Sequence, residues 1–206
     1  AAVGVHPHDA KCILEPNWSW KDIEALVSQE KVVAIGEIGL DYYYDFSPRE
    51  TQQQVFRYQI QLARTFKLPI VVHDRDAHQD VFNILVEEEA FELGVLMHCF
   101  SGSAELARQY VAKGAFISLG GPITYKNARK SHEVIEAIDL DHLMIETDAP
   151  YLTPVPFRGK RNESSYVHYV CEQMAALKAV TYEEVALKTT QNAKVFFGIG
   201  DEAVEC

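Results

Sequence analysis

The chain has no run of about 18 apolar residues, so no transmembrane helix is expected. It has no low-complexity tract and no Gly/Ser-rich linker, which points to a single domain over residues 1–206. Gly-rich phosphate loops are missing as well: Gly36-Glu37-Ile38-Gly39 is not GxGxxG, and no Walker A pattern occurs. The first residues, from Ala1 to Lys11, carry His and Asp and show no signal-peptide pattern, so a cytoplasmic location is expected. The four cysteines, Cys12, Cys99, Cys171 and Cys206, form no CxxC pair and no close-spaced framework. Thiols in a reducing compartment are expected rather than disulfides. Basic charge is also scarce: 19 Lys and Arg against 30 Asp and Glu give a formal net charge of −11. That excludes a nucleic-acid coat protein, which binds through a broad basic surface. It does not exclude a nuclease, because metal ions and a local basic patch neutralise phosphate at one site.

What is present is a large apolar fraction, 48% of 206 residues, enough for one sizeable core. It is distributed as short runs rich in Val, Ile and Leu at 2–5, 32–35, 69–72, 94–97, 115–119 and 143–145. Such runs suit strands buried on both faces. Helix signals lie between them. Ser47-Pro48-Arg49-Glu50 reads as an N-cap, a proline at the first helical position and a capping-box Glu. The helix it opens places Val55, Phe56, Leu62, Ala63 and Phe66 on roughly one face. Residues 76–88, 103–113 and 128–138 read as further helices, and Thr181-Tyr182-Glu183-Glu184 opens another.

Alternation of strand and helix implies a parallel sheet with crossover helices. A doubly wound open sheet and a closed TIM (β/α)8 barrel both satisfy it. A polar residue at the end of nearly every strand favours the barrel, where those ends converge on one mouth. Six strands are visible where a barrel needs eight. The expectation is therefore that strands 3–8 are present and that the first two β/α units, roughly 50–60 residues, are missing before Ala1.

Glu37, His73, His98 and Asp148 each follow an apolar strand run. Imidazole with carboxylate suits Zn, Mn, Fe or Ni, and carboxylate with water suits Mg. Two carboxylates and two imidazoles could also divide between two metals. Singly, a strand-end His is a common structural residue, and Asp148 before Ala149-Pro150 could be a helix N-cap. Four such residues on four strands point to a shared site. His6-Pro7-His8 follows the first run, and two readings stay open: both His are ligands, or His6 faces the site and His8 is structural. Lys126, Arg129 and Lys130, and then Arg158, Lys160 and Arg161, fall in expected strand-to-helix loops. Loop cations near such ligands suggest an anionic substrate, such as a phosphate ester. Tyr42-Tyr43-Tyr44 could stack a base or pack the loop.

Six ordered motifs resemble the TatD family of metal-dependent deoxyribonucleases. They are Gly4-Val5-His6-Pro7-His8, Gly36-Glu37-Ile38-Gly39-Leu40-Asp41-Tyr42, Val72-His73-Asp74-Arg75, His98-Cys99-Phe100-Ser101-Gly102, Glu146-Thr147-Asp148-Ala149-Pro150-Tyr151 and Arg158-Gly159-Lys160-Arg161-Asn162-Glu163. The likeness runs from Ala1 to about Gly198. It implies a TIM barrel of the amidohydrolase superfamily and exonuclease-type hydrolysis of DNA phosphodiesters with two divalent metal ions (Mg, Mn or Zn). Single-stranded DNA or frayed 3′ ends would be the substrate, and the protein a monomer or weak oligomer away from membranes. By motif position, Glu37 would bridge the metals, His73 and His98 would ligate the second, and Asp148 would ligate the first and act with Glu37 as a catalytic residue. His6, Asp41, Arg75, Arg158 and Lys160 would line the substrate site. Two departures stand out: the family's first strand, which ends in HxH and supplies two ligands, does not occur in this chain, and Ser164 stands where a Pro usually follows Asn-Glu. The competing expectations are a barrel hydrolase of a small ester, amide or phosphotriester, and an inactive truncated barrel without a complete metal site.

Overall fold

In a computed structural model, which describes residues 1–200, the chain forms two compact units, the first spanning Ala1–His98 and the second beginning at Cys99. The first unit holds four strands: β1 (Ala2–Val3), β2 (Ala34–Asp41), β3 (Ile70–Arg75) and β4 (Val95–Met97). Each pairs in parallel with the next, with Val3 opposite Ile35, Gly39 opposite His73 and Val72 opposite Met97. Helices α1 (Trp20–Val27), α2 (Arg49–Phe66) and α3 (His78–Glu87) make the crossovers. Ile35, Ile38, Leu40, Ile70, Val72 and Met97 are fully buried, as strands covered on both faces require.

Strand β2 reaches well past the apolar run that signals it. Glycines interrupt the hydrophobic pattern at 36 and 39, and they are the residues that let β3 come close. A Cβ on Gly39 would stand 2.0 Å from the carbonyl oxygen of His73, and its φ of +139° is one that L side chains rarely adopt. A Cβ on Gly36 would meet the Cβ of Val71 at 2.6 Å. Glu37 and His73, expected one step beyond their strands, therefore lie inside β2 and β3, while His98 does follow β4 directly.

The start of α2 also differs from expectation. The helix begins at Arg49, and Pro48 occupies the cap position without a side-chain cap bond. Ser47 is engaged elsewhere: its hydroxyl donates to the His8 carbonyl (2.8 Å) and accepts the Lys11 N–H (3.0 Å). It thus ties down the 3-10 helix Pro7–Leu14 instead of capping α2. Along with Val55, Phe56, Ile60 and Ala63, α2 buries two glutamines. Gln59 brackets the backbone of Val5, accepting its N–H at 2.6 Å and donating to its carbonyl at 3.1 Å. Gln52 does the same to Asp41 at 2.8 and 3.2 Å. Buried amides satisfied in this way pin the backbone just after β1 and at the end of β2, where the polar residues begin.

The second unit pairs β5 (Phe116–Leu119) with β6 (Leu143–Ile145) in parallel and surrounds them with α4 (Ala104–Val111), α5 (Arg129–Ala137), α6 (Val167–Lys178) and α7 (Tyr182–Phe197). Its core includes Ala107, Tyr110, Ile117, Val134, Ile135 and Met174, all fully buried. Ser103 and Thr181 cap α4 and α7, accepting the N–H of Leu106 (3.3 Å) and of Glu184 (3.1 Å). Arg129 and Lys130 open α5, at the start of the helix expected over 128–138 rather than in the loop before it, and Arg129 pairs with Glu133 at 2.8 Å. The structure adds α1 and α6 to the helices that patterning predicts.

Among the described residues no disulfide joins Cys12, Cys99 and Cys171, and Cys206 lies outside them. No helix of the described residues is long and apolar enough to cross a membrane.

Candidate metal centre

The first unit gathers its ligand-type side chains around one oxygen. Oε1 of Glu37 lies 2.7 Å from His73 Nδ1, 3.5 Å from His98 Nε2 and 3.6 Å from His6 Nε2. Glu37 projects from β2 and His73 from the adjacent β3, while His98 is held just beyond β4 by its N–H bond to the Val72 carbonyl (3.0 Å). His73 pairs with Gly39 rather than with Glu37, and the irregular register between Ile35 and Ile38 falls at Glu37. Burial by itself would push the Glu37 carboxyl pKa up. The N–H groups of His6 and His73 and attraction to His98 and His73 outweigh it, holding the group well below the usual carboxylate range. Glu37 is thus ionised, with imidazole nitrogens on several sides.

A second carboxylate lies behind the first. Asp41, at the end of β2, is fully buried. Its Oδ2 meets His8 Nε2 at 2.8 Å and His73 Nε2 at 3.0 Å. Its Oδ1 accepts the N–H groups of Tyr43 (3.1 Å) and Tyr44 (2.8 Å). Burial raises its pKa, but the Tyr44 N–H and the two histidines bring it below the ordinary value. His8 is therefore part of the cluster, and ligand atoms of His6, His8 and His73 lie within 4.8 Å of one another. Sequence reasoning left His8 between ligand and structural residue. The His-Pro-His spacing was the signal; the proline starts a 3-10 helix, and the His8 N–H then donates to Nδ1 of His6 at 3.2 Å.

Arg75, at the end of β3, lies over the rings of Tyr43 (4.1 Å) and Tyr44 (4.7 Å). Both tyrosines are exposed, and Tyr44 also stacks on Phe46 with centroids 5.1 Å apart. The aromatic run thus has a surface face, held by the turn that Asp41 organises.

The second unit carries the remaining expected site residues on the loop after β6. Asp148 has φ 55°, in the left-handed region. Asn162, nearly fully buried, fastens that loop by donating from Nδ2 to the carbonyls of Thr147 and Tyr151, both at 2.6 Å. Thr153 adds a bond to the Lys160 carbonyl at 2.5 Å. The Arg158 guanidinium lies 4.1 Å from the centre of the Tyr125 ring, and the Lys160 ammonium 5.5 Å from that of Phe157. Asn162 was part of the resemblance without a role; the loop geometry supplies one.

The donor set of the first unit fits a divalent ion. Imidazole nitrogens and a depressed carboxylate are the ligands that zinc, manganese and related ions share. Glu37, His73 and His98 would hold the ion through Oε1 and the facing ring nitrogens, with His6 and His8 alongside.

The profile of the TatD-related DNase family matches residues 1–198. The YabD protein of Bacillus subtilis, described as an uncharacterized metal-dependent hydrolase, is 55% identical over 97% of this chain and 77% of its own length. YcfH of Escherichia coli K12, described in the same words, is 41% identical over 95% of this chain and 72% of its own. Among solved structures, the TatD homologue YjjV of Escherichia coli superposes with a TM-score of 0.87 at 32% identity, covering 97% of this chain and 77% of that one. The α/β fold of parallel strands is thus that of the TatD barrels, and the chain belongs to the TatD-related DNase family of metal-dependent hydrolases.

Proposed function

We propose that the protein hydrolyses DNA phosphodiester bonds with divalent metal, acting as an exonuclease on single-stranded or frayed 3′ ends. The observation that carries the metal part is the ionised Glu37 oxygen facing nitrogens of His73, His98 and His6 within 3.6 Å. A bound divalent ion supplies Lewis acidity toward phosphate oxygens and a water of lowered pKa. Glu37, His73 and His98 hold the ion's place. Asp148, by its motif, orients the attacking water and takes its proton. Arg158 and Lys160 carry positive charge on a clamped loop, which suits phosphate. Arg75 and His6 contact the nucleotide from the first unit. Two ions, from Mg, Mn or Zn, would be held, with Asp148 as a ligand of the first and His73 and His98 as ligands of the second.

The test is cleavage of single-stranded DNA labelled at either end, with Mg, Mn or Zn, beside hydrolysis of nitrophenyl esters and a phosphotriester. Stepwise, metal-dependent shortening from the 3′ end is expected, and is abolished by a chelator. Ester turnover without DNA cleavage replaces the reading with that of a small-ester hydrolase.

A further inference from the structure

In a chain of net charge −11, cations without acidic partners call for a local reason. On the helices, Arg49, Arg57, Arg64, Arg129 and Lys188 each pair with a carboxylate. In the second unit Lys126, Arg158 and Lys160 differ. All three are exposed, and no carboxylate of the described residues forms an ion pair with them. Two of them lie against aromatic rings instead, Arg158 at 4.1 Å from the centre of Tyr125 and Lys160 at 5.5 Å from that of Phe157. A ring positions a cation without neutralising it. We propose that Lys126, Arg158 and Lys160 form one cationic surface that binds several phosphates of a single DNA strand at once. This rests on DNA as the substrate in the reading above, but not on the metal site.

Two loops distant in sequence are locked together to make this surface. Lys126 lies in the turn after the 3-10 helix Gly121–Thr124, and Arg158 and Lys160 lie on the loop after β6. Gly121 permits their close approach, since a Cβ there would stand 1.9 Å from the Leu152 carbonyl oxygen. The Tyr125 hydroxyl donates to the Thr153 carbonyl at 3.0 Å, and the Val155 N–H donates to Thr124 Oγ1 at 2.9 Å. Tyr125 therefore has Lys126 as its chain neighbour and Arg158 on its ring. The turn is closed by the Ala128 N–H on the Tyr125 carbonyl (3.1 Å), and the His132 ring holds the Ile123 carbonyl from α5 (2.7 Å). Phe157, beside Lys160, stacks on Tyr166 with centroids 4.6 Å apart. Folding has thus already ordered the backbone that carries the three charges, which lowers the entropy lost on binding. A nucleic-acid strand presents successive phosphates, the ligand that fits several fixed charges of one sign.

The experiment measures binding of a fluorescent oligothymidylate to the full chain across a series of salt concentrations, with a chelator present to prevent cleavage. Affinity should fall linearly with salt on logarithmic axes. Lys126→Gln, at an exposed position that leaves the fold intact, should reduce that slope by roughly 0.7, and Lys126→Gln with Lys160→Gln by roughly 1.4. Arg129→Gln removes a charge already paired with Glu133 and should leave the slope unchanged. An oligomer with the same bases and an uncharged methylphosphonate backbone should bind far more weakly. No binding, an unchanged slope in Lys126→Gln, an equal change in Arg129→Gln, or equal binding of the uncharged oligomer overturns the proposal. DNA cleavage is assayed separately. Binding that responds to Lys126 without cleavage leaves the surface standing and removes the nuclease reading; cleavage with a slope indifferent to Lys126 does the reverse.

Discussion

Glu37 and His73 stand on neighbouring parallel strands, whereas Asp148, Arg158 and Lys160 stand on a loop. In the first set, backbone pairing and two buried glutamines fix the positions, and the side chains bond directly to one another. In the second set, the backbone is held by Asn162 and Thr153, and the two cations rest on the rings of Tyr125 and Phe157. The difference teaches which property each region protects. A strand site keeps distances between nitrogen and oxygen constant, which metal ligation needs. A clamped loop keeps charge and a shaped surface in place, and under the proposed function Arg158 and Lys160 on it would meet the phosphate.

The comparison breaks most sharply at Glu37. Glu37→Gln keeps the size of a side chain that is about one-third exposed, so the fold should survive. Turnover should fall roughly 10³-fold or more, because several kcal/mol of Lewis-acid stabilisation leaves with the ion. Metal content by mass spectrometry and cleavage rate check it; full metal occupancy with full activity would remove Glu37 from the site. Gly39→Ala attacks the strand pairing itself. The new methyl would collide with the His73 carbonyl at a strained φ, at a cost of about 3 kcal/mol or more. A urea unfolding midpoint equal to that of the parent would show that the strands part without cost.

In the second unit the expected effects are smaller. Asn162→Ala removes two bonds from Nδ2 and should cost roughly 2 kcal/mol, seen as a lower melting temperature. It should also raise KM, since the loop carrying Arg158 and Lys160 loosens. Arg158→Lys keeps the charge but loses the planar group over Tyr125. A loss of about 0.5–1 kcal/mol should appear in KM with kcat unchanged. An equal fall in kcat would instead place Arg158 in the transition state. Arg129→Ala removes an exposed helix pair with Glu133 and should leave both stability and kinetics unchanged.

Much of this was legible in the residues. Val, Ile and Leu runs marked the six strands of the described residues because strands buried on both faces leave an apolar signature. Ser103 and Thr181 marked helix starts because cap bonds are local. Where a residue answers to a distant partner, local reading failed. Ser47 looks like a cap, but its hydroxyl serves the His8 and Lys11 backbone. Strand β2 looks as if it ends near Ile35, but pairing with β3 carries it to Asp41. Glu37, His73 and His98 stood out because a polar residue directly after an apolar run is conspicuous, while Asp41 and His8 took their meaning from contacts 32–33 residues away.

By itself the sequence determined the strand–helix alternation, the acidic balance, the ligand types and the motifs that place the chain among the TatD-related proteins. Those properties depend on residue order and composition alone. The tertiary structure decided which nitrogen of each histidine faces which oxygen. It decided that Asp41 is buried behind the site, and that two glycines make room for the close pairing of β2 and β3. These outcomes follow from the approach of separate strands to within a hydrogen-bond length, a distance that no single stretch of chain encodes.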